Sequence, residues 1–196
     1  MRRMQGSTTE IEVKLRFDSP DSARERIRQL GADLLQPREF EDNVVFDRER
    51  DPLGPVGTLL RLREFGDLAS LTLKARAKGQ KGRYKVRDEH ETTVGDPGAT
   101  RRILERLGYR PCYRYQKYRT VFVLGNLHIC LDETPIGCFV ELEGPPEEID
   151  RTAERLGFPP DQYILGSYRD LHIEAQRRQE VPPGDLLMER EQGASS

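Results

Sequence analysis

The chain contains no tryptophan and only three cysteines, three histidines and three methionines among its 196 residues. The cysteines, Cys112, Cys130 and Cys138, are odd in number and lack the spacing of a metal-binding or redox motif. We therefore expect them to be reduced thiols in a cytoplasmic protein.

Long apolar runs are also missing. No stretch approaches the roughly 20 apolar residues of a membrane-spanning helix, and the first residues show no signal-peptide pattern. The 34 acids and 32 bases leave a net charge of −2, without the basic excess of a general nucleic-acid-binding surface. We expect neither a membrane nor a nucleic acid as partner. A glycine-rich Walker-type loop is absent as well, which excludes that way of binding phosphate.

What the chain does contain is a repeated alternation of charged and apolar residues. Between residues 9 and 17, Glu10, Glu12 and Lys14 fall on one face of an extended strand, opposite Ile11 and Val13. At least seven segments have such a charged face, and its members are Glu10, Glu12, Lys14, Arg16; Arg61, Arg63; Thr72, Lys74, Arg76; Lys85, Arg87, Glu89, Glu91; Lys117, Arg119; His128, Cys130, Asp132; and Glu141, Glu143.

Two structures account for this pattern. An antiparallel sheet with its charged face in water explains any single segment. The complete set, with acids confined to some strands and bases to others, favours faces that converge, because like charges opposite each other are destabilising. We therefore predict an α+β fold: a closed antiparallel barrel of about eight strands around a charged tunnel, with helices packed outside.

Helix signals fall between the strand groups. Ser19 and Asp96 each precede a proline and can cap a helix, and further helices are predicted over about 146–156 and 167–178. Leu-Gly pairs end the first three. We predict one domain over residues 9–180, with a flexible N-terminus (1–8), a flexible C-terminal tail (181–196) and loops at 51–55 and 77–82.

Taken in order, these motifs resemble the CYTH superfamily, the triphosphate tunnel metalloenzymes, which includes class IV adenylyl cyclases and thiamine and inorganic triphosphatases. The resemblance spans about residues 9–175. The segments FEDNVVFDRERDPL (40–53) and SYRDL (167–171) are similar to the cyclase-like branch, although both likenesses are local. The matching elements are Glu10-x-Glu12-x-Lys14, Arg61-x-Arg63, Leu73-Lys74, Arg87-x-Glu89-x-Glu91, Lys117-x-Arg119, Asp132 to Gly137, and Glu141-x-Glu143.

The resemblance implies a role for each matching residue. Glu10, Glu12, Glu141 and Glu143 would be the main metal ligands, with Asp132 assisting. These are hard oxygen donors without a competing histidine or cysteine cluster, so Mg²⁺ or Mn²⁺ is the expected ion. The predicted phosphate-binding residues are Lys14, Arg61, Arg63, Lys74, Lys85, Arg87, Lys117 and Arg119, the predicted catalytic residues are Lys14 and Glu12, and the possible outer metal shell is Glu89 and Glu91.

For each acid, an internal salt bridge to a neighbouring base is the alternative to metal binding. Conversely, if the lumen is strongly positive when empty, removing one of its arginines would relieve repulsion and raise the melting temperature. The expected partner is a triphosphate-containing small molecule, such as tripolyphosphate, ATP or another organic triphosphate, bound by a monomer or homodimer.

Three functions remain open. Water attacking a terminal phosphorus would make the protein a metal-dependent triphosphatase, whereas attack of a ribose 3′-hydroxyl on the α-phosphorus of ATP would make it a class IV adenylate cyclase producing cyclic AMP and pyrophosphate. A non-catalytic polyphosphate- or nucleotide-binding module is the third. The sequence favours hydrolysis because only Phe46, Phe65 and Tyr84 are candidates for contacting a base, and no dedicated adenine pocket is evident.

Overall fold

Eight antiparallel strands close into a barrel in the computed structural model, which describes residues 7–77 and 82–189. The strands follow one another around the barrel in the order β1-β5-β4-β3-β2-β6-β7-β8. This confirms the predicted fold. The strand bounds are β1 Ser7–Phe17, β2 Asp33–Asp47, β3 Leu59–Phe65, β4 Leu68–Arg76, β5 Lys85–Thr93, β6 Arg110–Leu124, β7 Leu127–Thr134 and β8 Gly137–Glu143.

Four α-helices lie outside or at one end of the barrel in the described part of the chain: α1 Pro20–Gln29, α2 Pro97–Arg106, α3 Pro146–Arg155 and α4 Tyr168–Arg177. The predicted caps are confirmed: the Ser19 side chain accepts from the Ser22 N–H, and the Asp96 side chain accepts from the Ala99 N–H. Short 3₁₀ turns occupy Gly54–Val56 and Pro160–Gln162. In the described residues, no helix combines the length and the apolarity needed to cross a membrane.

The apolar faces of the strands point outward and are covered by the helices. Leu15, Leu131 and Val140 on β1, β7 and β8 are fully buried in a cluster that includes Ile27 of α1 and Ile149 of α3. A second outer cluster joins Phe46, Leu60 and Leu62 to Leu104 of α2. Because the outward faces bury the apolar side chains, the charged faces line the interior.

Helix α4 packs differently, against inward-facing aromatic residues at one end of the barrel. Its Tyr168 and Leu171 are buried in a cluster with Tyr113, Tyr115 and Phe139. Phe139 lies on the same strand face as Glu141, and Tyr115 on the same face as Lys117, so this end of the interior is apolar. The rings of Phe139 and Tyr168 meet edge to face at 5.6 Å.

The chain continues past α4 along β6. Leu186 is 2% exposed, and its backbone N–H donates to the carbonyl of Arg114 at 2.9 Å. The Gln116 N–H in turn donates to the Leu186 carbonyl at 2.8 Å. Residues 181–189, which belong to the tail predicted over 181–196, therefore form a docked segment along β6. Likewise, β1 begins at Ser7, inside the predicted flexible N-terminus. Residues 1–6, 78–81 and 190–196, which include parts of both predicted ends and of the predicted 77–82 loop, lie outside the described residues.

We expect Leu186→Ala to lower the free energy of unfolding by about 2–4 kcal/mol, because it removes a buried side chain from the cluster under α4. Urea denaturation measures this change. Leu187→Ala is the matched control, since Leu187 is 43% exposed. Equal, small effects of the two substitutions would show that the docked segment does not contribute to the fold.

Candidate functional site

The interior of the barrel forms a cavity of about 1150 Å³. Side chains from all eight strands line it, and they include fourteen of the fifteen residues predicted for the site: Glu10, Glu12, Lys14, Arg61, Arg63, Lys74, Lys85, Arg87, Glu89, Glu91, Lys117, Arg119, Glu141 and Glu143. The fifteenth, Asp132, lies behind the cavity surface and is fully buried. The structure thus brings the predicted set together, while the role of each residue stays a prediction.

Carboxylates from β1 and β8 meet because these two strands pair directly. Glu12 lies opposite Glu143, and Lys14 lies opposite Glu141. The Lys14 Nζ donates to Glu141 Oε1 at 2.6 Å and sits 4.8 Å from the centre of the Tyr168 ring. Burial opposes the charge on Lys14, but Glu141 and Glu12 outweigh it and raise the pKa of the ammonium. Lys14 is therefore a fixed positive charge between the two pairs of acids.

Lysines also hold Glu10 and Glu12, the two inward-facing acids of β1. Lys74 Nζ donates to both oxygens of Glu10 at 2.6 and 2.7 Å, and Lys85 Nζ donates to Glu12 at 2.7 Å. Burial favours the neutral form of Glu12, but Lys85 and Lys14 lower its pKa to about 2. In the described residues, no three acids surround a common point at metal-binding distance in this conformation. Lys14, Lys74 and Lys85 each contact a carboxylate that is predicted to bind the ion.

The donor set nevertheless fits a hard divalent cation. Glu10, Glu12, Glu141 and Glu143 offer only carboxylate oxygens, which Mg²⁺ and Mn²⁺ prefer. Burial raises the pKa of Glu10 to about 7; Lys74 lowers it, while Glu12, Glu89 and Glu143 add to the rise. The lysines therefore do not fully offset the repulsion among these acids, and a bound cation would reduce it. The metal itself stays a prediction.

Asp132 serves the neighbouring cations. Its carboxylate accepts from Arg119 Nε and Nη2 at 2.6 Å each, from Lys117 Nζ at 2.8 Å and from the Tyr168 hydroxyl at 2.6 Å. Arg119 also donates to Glu141. With four donors from the protein on one buried carboxylate, this arrangement suits a counter-ion better than the assisting metal ligand that the resemblance implies.

Arg61 donates its hydrogen bonds to neutral groups. Its Nη1 and Nη2 donate to the neutral hydroxyl groups of Tyr115 and Thr72, both at 3.3 Å. Its Nε is buried, and no residue in the described ranges accepts a hydrogen bond from it. Arg61 Nη2 also lies 3.9 Å from Glu91 Oε2, whereas Lys14, Lys74 and Lys85 each have a carboxylate oxygen within 2.7 Å. A guanidinium with an unused N–H donor can bind an additional anion.

Four polar residues of the site were not singled out in the sequence as site residues: Glu41, Asn43, Tyr115 and Tyr168. Asn43 and Tyr168 lie in segments that resemble the cyclase-like branch, and alternation along β2 would also have placed Glu41 on the inner face with Asn43. The alternation that would identify Glu41 is weak because its neighbour Asp42 is also charged. Asp42 points outward and pairs with Arg114.

The bases of the lumen are not an unbalanced positive cluster. The eight predicted phosphate-binding residues contact or neighbour eight acids, namely Glu10, Glu12, Glu41, Glu89, Glu91, Asp132, Glu141 and Glu143. These contacts argue against a rise in melting temperature on loss of an arginine that holds a buried acid, Arg119 above all, and the change itself stays a prediction.

Among the aromatic residues considered for base contact, Phe65 lines the cavity. Phe46 also borders the cavity, although its ring is almost fully buried in the outer cluster under α2. The expectation for Tyr84 is corrected, because its hydroxyl donates to Asp150 of α3 at 2.7 Å and it does not line the cavity. Cys130 also lines the cavity, and burial raises its pKa to about 12, so it remains a neutral thiol.

Comparisons with known proteins agree with this architecture. A candidate adenylate cyclase of Methanocaldococcus jannaschii is 23% identical over 173 residues, which cover 83% of this chain and 97% of that protein. A solved structure of a candidate adenylate cyclase from Vibrio parahaemolyticus superposes with a TM-score of 0.75 at 19% identity, covering 86% of this chain and 99% of that one.

Two further structures are similar. A Pyrococcus horikoshii protein gives a TM-score of 0.68 at 26% identity, covering 83% of this chain and 98% of that one. A candidate adenylyl cyclase from Hippeastrum, described as revealing a dominant triphosphatase activity, gives 0.58 at 21% identity, covering 89% of this chain and 98% of that one. The model of the family described as CYTH domain matches residues 8–157. The chain therefore belongs to the CYTH domain family.

Proposed function

We propose that this chain is a divalent-metal-dependent enzyme that binds a triphosphate inside the barrel and hydrolyses one of its phosphoanhydride bonds. The observation that carries the proposal is the convergence of the predicted bases and acids in one cavity of about 1150 Å³. Enclosing charged side chains is costly because they lose hydration. Charges that served only to face water would therefore lie on the outer surface of the barrel.

The arginines supply the contacts that a polyphosphate requires. Arg61 has an unused Nε, and Arg87 donates to the backbone carbonyl of Gly57 at 3.0 Å, a neutral acceptor that a phosphate oxygen can replace. Both side chains line the cavity, Arg61 from β3 and Arg87 from β5, with β4 between the two strands. Planar guanidinium groups bind phosphate oxygens in pairs, and together they hold the chain of phosphates in register.

The acids of β1 and β8 would hold the ion. Glu10, Glu12, Glu141 and Glu143 are the donors, and a bound Mg²⁺ or Mn²⁺ would offset phosphate charge and lower the pKa of a water molecule. Because lumen bases and acids are closely matched, a triphosphate brings an uncompensated negative charge, which supports a requirement for added cations. Lys14, held between Glu12 and Glu141, positions the nucleophile and the phosphates as a cation.

Adenylate cyclisation is the second candidate, and a specific observation favours it. The cavity is large, and beside its charged wall lie Leu35, Phe65, Leu68, Val121 and Val123, which could accommodate an organic group attached to the phosphates. The relatives named as candidate adenylate cyclases point the same way. We favour hydrolysis because the aromatic candidates left for base contact are Phe65 and the almost fully buried Phe46, and the Hippeastrum neighbour is described by its triphosphatase activity.

The deciding experiment incubates the purified protein with tripolyphosphate and, separately, with ATP, each with Mg²⁺ or Mn²⁺ and with EDTA as the control. We expect inorganic phosphate to be released only when the metal is present. Cyclic AMP and pyrophosphate from ATP, with tripolyphosphate acting only as an inhibitor, would replace hydrolysis by cyclisation. Binding of both compounds without any product would favour the non-catalytic module.

A further inference from the structure

Glu41 on β2 is a fully buried acid surrounded by bases of the lumen. Its Oε1 lies 3.4 Å from Lys117 Nζ and 3.5 Å from Arg63 Nε, and its Oε2 lies 3.8 Å from Arg119 Nε. Burial favours the neutral form, but Arg63, Lys117 and Arg119 outweigh it and lower the pKa of Glu41 below its ordinary value. The carboxylate is therefore ionised at neutral pH.

The contacts of Glu41 differ from those of Asp132, the other buried acid that faces Lys117 and Arg119. Asp132 accepts four short hydrogen bonds from charged and hydroxyl donors. Glu41 accepts one, from the Asn43 side-chain amide at 2.9 Å, and its Oε2 accepts none from the residues the structure describes. Its effect on the bases is thus mainly that of a nearby charge.

Glu41 also lies behind the bases rather than in the cavity. Arg63, Lys117 and Arg119 line the cavity, whereas the Glu41 side chain has no exposed surface. Asn43 links the two layers, because its Oδ1 accepts from Arg63 Nε at 3.2 Å while its Nδ2 donates to Glu41. A phosphate in the lumen would meet the bases directly and feel the Glu41 charge through them.

We infer that the Glu41 carboxylate offsets part of the charge of Arg63, Lys117 and Arg119 from behind and thereby limits the affinity of the lumen for phosphate anions. This inference rests on the proposed function. Without the negative charge, the same bases would bind both substrate and product phosphates more tightly. At an effective dielectric constant of about 20, a unit charge roughly 8 Å from an anion changes its affinity by about tenfold or more.

The test compares Glu41→Gln, which retains the shape and loses the charge, with the unaltered protein in isothermal titration with inorganic pyrophosphate and Mg²⁺. We expect the Kd for pyrophosphate to fall by about tenfold, and KM for tripolyphosphate to fall with it. A purely structural role would weaken binding instead. Asp42→Asn is the matched control, since Asp42 lies next in sequence but pairs with Arg114 on the outer face, and its Kd should not change.

An unchanged or higher Kd in folded Glu41→Gln would overturn the inference. If this variant does not fold, Asn43→Asp adds an anion at the same place and should raise the Kd several-fold; an unchanged or lower Kd would overturn it equally. If the unaltered protein binds neither pyrophosphate nor tripolyphosphate, the proposed function itself is contradicted. Equal binding by the unaltered protein and by Glu41→Gln contradicts only the role of Glu41.

Discussion

Glu12→Gln and Glu143→Gln should each lower triphosphate turnover by more than about 100-fold, because even outer-shell partners of a metal change activity by roughly 10- to 100-fold. The two residues face each other across the β1–β8 pairing, so each substitution removes one carboxylate oxygen from the predicted ion site. Initial rates with tripolyphosphate over a range of Mg²⁺ and Mn²⁺ concentrations measure the effect. The barrel should remain folded, since glutamine can still accept from Lys85 at position 12.

Glu147→Gln is the control for these variants, because Glu147 is exposed in the first turn of α3. Full activity in both Glu12→Gln and Glu143→Gln, with the metal still required, would remove these residues from the ion site. Circular dichroism and thermal melts separate a loss of the ion from a loss of the fold.

Arg61→Ala and Arg119→Ala should differ in what they lose. Arg61 donates to neutral hydroxyls and has only a long ion pair with Glu91 at 3.9 Å, so its removal should lower triphosphate processing by roughly 10- to 100-fold with a smaller loss of stability than Arg119→Ala. Arg119 holds buried Asp132 and Glu141, and its removal should also lower the free energy of unfolding by about 3–5 kcal/mol, because it leaves buried acids without a partner.

Kinetics and urea denaturation of the two variants, with Arg28→Ala as an exposed control on α1, separate the two effects. Equal losses of stability with activity per folded molecule unchanged would identify both arginines as structural salt bridges. A higher melting temperature for Arg119→Ala would show that the lumen is more positive than its contacts indicate.

Much of the barrel could be predicted because its signals are local. The alternation in β1 and β8 places Glu12 and Glu141 on the inner face whichever strand lies beside them. The helix starts at Ser19 and Asp96 depend on residues within one turn, and the structure has both caps. Alternation therefore identified fourteen charged side chains that line the cavity.

The remaining features depend on pairing between distant segments. Glu41 lies opposite Lys117 only through the β2–β6 pairing, whose register shifts at three places, and alternation cannot report such shifts. Leu186 reaches β6 after two prolines that look like a loose tail, and its partners, Arg114 and Gln116, are about 70 residues away in the sequence. Tyr168 lies in the segment SYRDL, and a local likeness does not reveal that its hydroxyl reaches Asp132.

The most direct test of the account is a crystal structure of the protein with tripolyphosphate and Mn²⁺, with the manganese located by anomalous scattering. We predict an anomalous peak within the barrel beside the carboxylates of Glu10, Glu12, Glu141 and Glu143, with phosphate oxygens against Arg61 and Arg119. Phosphates bound on the outer surface, or manganese away from these carboxylates, would contradict the claim that the lumen is a metal-dependent triphosphate site.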